Sequence, residues 1–365
     1  MQAGLLSTYK KSVSSRGTAA WVASLILFAF YVVMYFTSLF DPLATALGLG
    51  SRWTIYGILY TLAVTVGGLF FLKRYGNSRY QRRRTISVMF FQVVFAFSIP
   101  MLMELFGQRG FILNLFWPLK IDYFYPSYIL EYPLPLVLYA FLGFVLLVPL
   151  LTYMYGKRWY CSWVCGCGGL AETAGDPFRH LSSKSPRAWT FEQLSIHGIM
   201  LFAFVTTALV IVNWSLGHVD ASGEMAPRFA TFSAVVFKIQ GIYGFVVVAL
   251  LSGVLGVGLY PLLGSRVWCR FFCPLAAFMG LIQKFGRFRI TVKDDMCISC
   301  GNCSTYCEMG IDVRMYAQNN QSFKRAACVG CGICAHVCPR GVLKLENKWD
   351  VSPLSRQSNQ NVTDL

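Results

Sequence analysis

Six stretches of the chain run for about 20 residues without Asp, Glu, Lys or Arg, the length at which an α-helix crosses the hydrocarbon core of a bilayer. They cover residues 17–40, 53–72, 85–103, 132–156, 193–219 and 239–265. Any one of them alone could be a buried core helix. Six in one chain predict an α-helical integral membrane protein with six transmembrane helices. Lys10, Lys11 and Arg16 precede the first run as they would in a secretion signal. That run is too long for a signal and lacks a small-residue cleavage site, so it reads as an uncleaved span. After Asp295 the pattern changes to polar, cysteine-rich sequence with no spanning run. The expected division is a membrane domain over 1–290, a small α+β domain over 291–346, and a polar, disordered tail over 347–365.

Composition agrees with this pattern. Charged residues make up 13% of the chain against roughly 25% in soluble domains, and 56% of residues are apolar. The net charge of +16 would suggest a polyanionic partner in a soluble protein. Here Lys and Arg alternate in number: three before span 1, then one, six, two, five and two in successive loops, and thirteen after span 6. Cytoplasmic loops retain positive charge, so both termini, loops 2–3 and 4–5 and the C-terminal segment are expected in the cytoplasm of a bacterial inner membrane. That placement accounts for the charge without nucleic acid. Arg82, Arg83 and Arg84 are expected at anionic lipid heads. The outward loop 105–131 carries Phe116, Trp117, Tyr123, Phe124 and Tyr125, which read as an interfacial belt or a docking surface. A second outward loop is expected over 218–238.

Eight of the thirteen cysteines form one pattern twice: Cys297, Cys300, Cys303, Cys307, then Cys328, Cys331, Cys334, Cys338. In a C-x2-C-x2-C-x3-C run the first three thiolates bind one cubane and the fourth reaches the other. The expected ligand sets of two [4Fe-4S] clusters are therefore Cys297, Cys300, Cys303 and Cys338, and Cys328, Cys331, Cys334 and Cys307. Zinc sites do not usually repeat such a run, and a cytoplasmic location disfavours disulfides. Pro339 follows the last cysteine of the second run, whereas Glu308 holds that place in the first. An acidic residue there is expected to lower the potential of its cluster. His336 reads as a surface or packing residue rather than a ligand, since the cysteine sets are complete without it. The segment resembles bacterial two-cluster ferredoxins, which implies a pseudo-symmetric α+β fold that carries electrons one at a time.

The other five cysteines follow spans 4 and 6. Arg158-Trp-Tyr-Cys161-Ser-Trp-Val-Cys165-Gly166-Cys167 and Arg266-Val-Trp-Cys269-Arg-Phe-Phe-Cys273-Pro274 both read Arg, one residue, an aromatic ring, Cys, three residues, Cys. By the charge count both emerge at the cytoplasmic membrane face. A spacing of four puts two thiols on one face of a helical turn. Pro274 favours a helix start, which places Cys273 at the entrance to a helix over 275–285, near Arg266 and Arg270. Three readings stand: ligands of a third metal centre or cluster, a redox-active thiol pair, or inert small hydrophobes. Cys167 is a spare ligand or structural. The span histidines, His197 and His218, lie at opposite ends of span 5, so no haem is expected. His180 reads as a solvated loop residue and Glu104 as a plain helix-end carboxylate.

With these pairs the chain, over about 134–346, resembles membrane polyferredoxins of the NapH, NosR and CcoG (RdxA) kind. The resemblance implies a quinol dehydrogenase-like electron carrier that links the quinone pool or a cytoplasmic donor to other redox subunits, such as a nitrate- or nitrous-oxide-type reductase system or its maturation. It also offers a membrane cupric reductase, with copper on the C-x3-C pairs, since soft thiolates select Cu(I). A third alternative is a membrane anchor that docks a soluble redox partner. Gly166 in the place of the motif proline puts the equivalence of the two pairs in question. With no large flavin-binding domain ahead of the spans, the chain would be the bare membrane core.

Overall fold

The computed structural model describes residues 17–216 and 227–347. The polar tail, from 348 on, and His218 lie outside the described residues. Six helices are long and apolar enough to cross a membrane: α1 (Gly17–Phe36), α2 (Arg52–Tyr75), α3 (Arg79–Leu105), α4 (Leu134–Tyr155), α6 (Pro186–Leu216) and α7 (Thr231–Gly258). Two short helices follow α4 and α7, namely α5 (Gly166–Glu172) and α8 (Pro274–Phe285). The protein is a multi-pass membrane protein with a ferredoxin-type segment at its C-terminal side. Leu25, Ile26, Leu62, Phe70, Leu146, Leu201 and Phe237 are exposed on the bundle, a surface that only lipid makes favourable.

The apolar runs locate five spans to within a few residues, and the sixth differs. Its helical course begins at Pro227, so most of the outward loop expected over 218–238 is helical, and the span ends at Gly258 rather than 265. Lys238 interrupts the apolar run but lies exposed only seven residues into α7. A lysine at that depth can run its stem along the helix and leave its ammonium at the interface. Three spans widen into π-type turns, over Phe91–Ser98, Gly143–Leu147 and Gly244–Leu255. Pro100 and Pro149 follow the first two closely; each lacks an N–H, and the wider turn absorbs the mismatch without breaking the helix.

The two halves of the bundle repeat one unit. In each, a span leads into a C-x3-C motif, and the motif into a short helix that packs between spans. α5 lies against α2 and α3, and α8 against α4 and α6. The ferredoxin-type segment is closed by an antiparallel pair, β1 (Phe288–Val292) and β2 (Leu343–Asn347), in register from Phe288↔Asn347 to Val292↔Leu343. A bridge from Ile290 to Phe323 ties the linker between the cysteine runs to this pair.

Candidate metal centres

Local geometry in the ferredoxin-type segment is set by glycine. Gly301 and Gly332 follow the second cysteine of each run in left-handed backbone, φ 81° and 76°, and cap the one-turn helices that carry Cys303 and Cys334. A side chain at either position would be strained. The turns fold each run around a cavity. One is lined by Cys297, Cys300, Cys303 and Cys338 with Ile298, Val342 and Leu343 and the charged Arg314 and Arg340. The other is lined by Cys307, Cys328, Cys331 and Cys334 with Met309, Ile311 and Phe323 and the carboxylate of Glu308. Each cavity draws three thiols from one run and the fourth from the end of the other. Four soft thiol donors converging on one cavity suit an iron–sulfur cluster. The backbone N–H of Val342, 3.4 Å from the Cys338 sulfur, is placed to stabilise a thiolate.

The two cavities differ in surroundings. Cys300 in the first is exposed. The loop that carries the second is hydrogen-bonded to the membrane domain. Tyr80 Oη donates to the Gly330 carbonyl at 2.8 Å, Gln81 Nε2 to that of Cys331 at 2.9 Å, and Ser162 Oγ to that of Val329 at 2.9 Å. From α8, Gln283 Nε2 donates to the Cys328 carbonyl at 2.9 Å. The inner cavity is thus held against the bundle by α3, α8 and the first C-x3-C segment. His336 is exposed, with its ring edge-on to that of Tyr75.

The C-x3-C pairs do not sit in surface loops. Cys161, Cys165, Cys269 and Cys273 are each only 5–6% exposed and belong to one apolar core. They lie near enough for each thiol to feel the charge of others in the set. Among the described residues, the one group of three ligand atoms within 4.8 Å of one another is Glu172, Glu308 and Cys331; no three of the four thiols lie so close. Cys165 and Cys273 are the N-caps of α5 and α8, both in extended backbone. The backbone N–H of Ala276 donates to the Cys273 sulfur at 3.4 Å. Gly166 therefore stands where the second motif has Pro274, at the first position of its helix, although Cys161 ends an α-helical turn (Arg158–Cys161) and Cys269 lies in a π-type turn (Trp268–Phe272). Gly168 is needed for close approach: a Cβ there would lie 1.9 Å from the Cys161 carbonyl oxygen.

The first motif packs inside the bundle rather than on its surface. Gly166 lies against Gln92 and Tyr60. Gln92 is seven residues past Thr85, where the charge-free part of α3 begins, about 10 Å in at 1.5 Å per residue. Irregular backbone is tolerated at such depth where protein, not lipid, surrounds it. From the opposite side of the bundle the 105–131 loop comes to meet it. Tyr160 Oη donates to the Asn114 carbonyl at 2.8 Å, and Asn114 Nδ2 to that of Val164 at 3.2 Å. The aromatic run is thus neither an interfacial belt nor a docking surface. Phe116, Trp117, Tyr123 and Tyr125 are buried, and Trp117 Nε1 donates to Thr207 Oγ1 of α6 at 3.0 Å.

A buried charge network lies between the inner cavity and the C-x3-C site. Arg84 pairs with Glu172; Arg266 with Glu172 and, at 3.0 Å, Glu308; Arg179 with Glu308 at 3.1 Å and Asp176 at 3.0 Å. The contacts of Glu308 are close charge contacts rather than aligned hydrogen bonds. Burial pushes the Glu308 carboxyl up, but Arg179, Arg266 and Arg84 outweigh it and hold it down to about 2. Arg84 does not reach lipid heads as expected, whereas Arg82 and Arg83 are exposed. Nor does Arg270 face Cys273; it turns to Glu192 at 2.7 Å and the Ser183 carbonyl at 2.7 Å. Sequence reasoning missed Glu172, Asp176 and Arg179 altogether, since no spacing marks them as partners.

Comparison with known proteins points the same way. Residues 290–345 match a family described as a 4Fe-4S dicluster domain, and 137–185 and 244–293 each match one described as a 4Fe-4S binding domain. The chain is 27% identical over 161 residues to YccM of Escherichia coli, a protein named for electron transport, covering 43% of each chain. It is similar to the methylamine utilization ferredoxin-type protein MauN of Methylobacillus flagellatus, at 26% over 42% of this chain and 50% of that one. The MauN of Paracoccus denitrificans is 29% identical over 44% and 52%. The aligned region thus spans about half the length of these relatives. No solved structure matches the chain.

Proposed function

From the premise that this chain is an iron–sulfur electron-transfer protein of the ferredoxin type, we propose that it is a membrane relay with three [4Fe-4S] centres in series. The outer centre is held by Cys297, Cys300, Cys303 and Cys338, the inner one by Cys307, Cys328, Cys331 and Cys334. The third is held by Cys161, Cys165, Cys269 and Cys273, two thiols from each repeat. When bound, each cluster supplies one-electron redox chemistry. The chain's own residues position the cysteines, exclude water and set the charge around them.

The observation that carries this reading is the third set: four buried thiols from two C-x3-C motifs, gathered in one core with no three of them within 4.8 Å of one another. A single tetrahedral ion with metal–sulfur bonds of about 2.3 Å needs its sulfurs roughly 3.8 Å apart. A cubane spreads its ligands wider. A single four-coordinate ion shared by all four thiols is accordingly less well supported. A redox-active thiol pair needs an accessible thiolate, and these thiols are enclosed. The Tyr80, Gln81, Ser162 and Gln283 hydrogen bonds to the inner loop favour a relay over an anchor.

With the ferredoxin segment on the cytoplasmic side of a bacterial inner membrane, the relay would join a cytoplasmic donor or the quinone pool to further redox subunits. The test is iron and labile-sulfide content with EPR on anaerobically purified protein, beside a variant with Cys161, Cys165, Cys269 and Cys273 changed to Ser. About twelve irons falling to about eight supports the reading; about eight in both refutes the third centre.

A further inference from the structure

One departure in the cysteine pattern has no role in a simple relay: Glu308 stands where the second run has Pro339. Alone, a carboxylate beside Cys307 would oppose the arrival of an electron. It is not alone. Glu308 is fully buried, with Arg179 3.1 Å from one oxygen and Arg266 3.0 Å from the other. Each guanidinium also reaches a sulfur, and the two sulfurs belong to different sites. Arg179 Nη1 lies 3.9 Å from Cys331 Sγ of the inner cavity, and Arg266 Nη1 lies 3.8 Å from Cys269 Sγ of the C-x3-C site. An unbroken line of charge contacts therefore runs from one thiol to the other, through three side chains no more than 1% exposed.

Resting on the three-centre reading, we propose that Glu308 is a charge joint: acting through Arg179 and Arg266, it sets the reduction potentials of the inner and third centres together. Cluster potentials follow local charge, hydrogen bonds to sulfur and solvent exposure. Each arginine, aimed at a ligand sulfur, favours the reduced form of its own centre. Glu308 offsets part of both charges at once, so the two centres stay matched. Water cannot screen any member of the line, and its charges act at interior strength. Glu308 also lines the inner cavity, with a carboxylate oxygen within 4.8 Å of Cys331 Sγ, so its charge reaches that centre directly as well as through Arg179, and the third centre through Arg266; it is a positioning residue.

The experiment is an EPR-monitored redox titration of the full chain, purified anaerobically, as wild type, Glu308→Gln and Glu308→Gln/Arg266→Gln. Loss of a unit charge about 8 Å away, at an effective dielectric of about 20, changes such an equilibrium roughly thirtyfold. Glu308→Gln should make the inner and third centres easier to reduce by at least about tenfold, which is about 59 mV for a one-electron couple. The outer centre should move less than either. In the double variant the third centre returns toward wild type while the inner stays raised. If Glu308→Gln fails to accumulate, the double variant, which keeps the buried charges balanced, carries the test by that split. About twelve irons with both potentials unmoved, or with only one moved in the single variant, overturns the joint and leaves the relay standing. About eight irons in the wild type overturns both.

Discussion

Gly168→Ala is the sharpest test of how the first C-x3-C motif is built. The added methyl would meet the Cys161 carbonyl oxygen at 1.9 Å and Arg266 Nη1 at 3.0 Å. The first of these is backbone within the motif itself and cannot rotate away. To reach an ordinary carbon–oxygen contact, α5 must shift by more than about 1 Å relative to Cys161, a strain of about 1–3 kcal/mol by analogy with overpacked cores. Cys165 caps that helix and moves with it, so the cost falls on the relative placement of Cys161 and Cys165. Gly198→Ala, in α6, is the matched control, because nothing lies within 4 Å of its added methyl. In a helix interior that change is expected to stabilise by about 0.5–1 kcal/mol. Iron content and EPR of reduced protein give the readout, with melting temperature in detergent beside them. Gly168→Ala should lose about four irons and keep the ferredoxin-type signals, while Gly198→Ala keeps all. If Gly168→Ala retains full iron and an unchanged melting temperature, the packing of α5 on Cys161 described above is wrong.

Arg84→Met should strip Glu172 of one of its two guanidinium partners and destabilise the protein by about 3–5 kcal/mol, as breakage of a buried ion pair does; Arg82→Ala, at an exposed site, should stay within about 0.5 kcal/mol, and equal losses of melting temperature in the two would refute the burial of Arg84. Trp117→Phe removes the donor to Thr207 and leaves that hydroxyl without its indole partner, at a cost of about 1–3 kcal/mol, measurable by thermal unfolding in detergent. Gln81→Leu should loosen the inner cysteine loop at Cys331 and broaden the EPR signal of the inner centre without altering that of the outer; broadening of the outer signal alone would refute the assignment of inner and outer. Cys300→Ser and Cys328→Ser should each remove a different signal, and loss of the same signal in both would refute the proposed ligand sets.

Much of this molecule is legible in single windows of sequence. A span declares itself because bilayer thickness fixes how many apolar residues a helix needs, and that requirement is local. The cysteine runs declare their cavities because thiols two residues apart fold around one site, and the crossing of Cys307 and Cys338 follows from the same short spacing. The N-cap place of Cys273 was legible too, since Pro274 cannot sit inside a helix. What lies beyond a window needed the tertiary structure. Arg84 resembles its neighbours Arg82 and Arg83 in every local respect, and only the approach of Glu172, 88 residues on, turns it inward. The aromatic run of the 105–131 loop has the composition of an interfacial belt; Thr207 and Tyr160 make it part of the core. Likewise nothing near Cys161 tells that its motif folds back to the middle of α3, or that Cys269, 108 residues later, comes to meet it. Sequence alone determined that the chain carries six apolar spans followed by a ferredoxin-type segment, because those depend on chain-local length and spacing. The tertiary structure alone decided how deep the paired cysteines lie and which buried charges face them, because packing between distant segments chooses each side chain's partner.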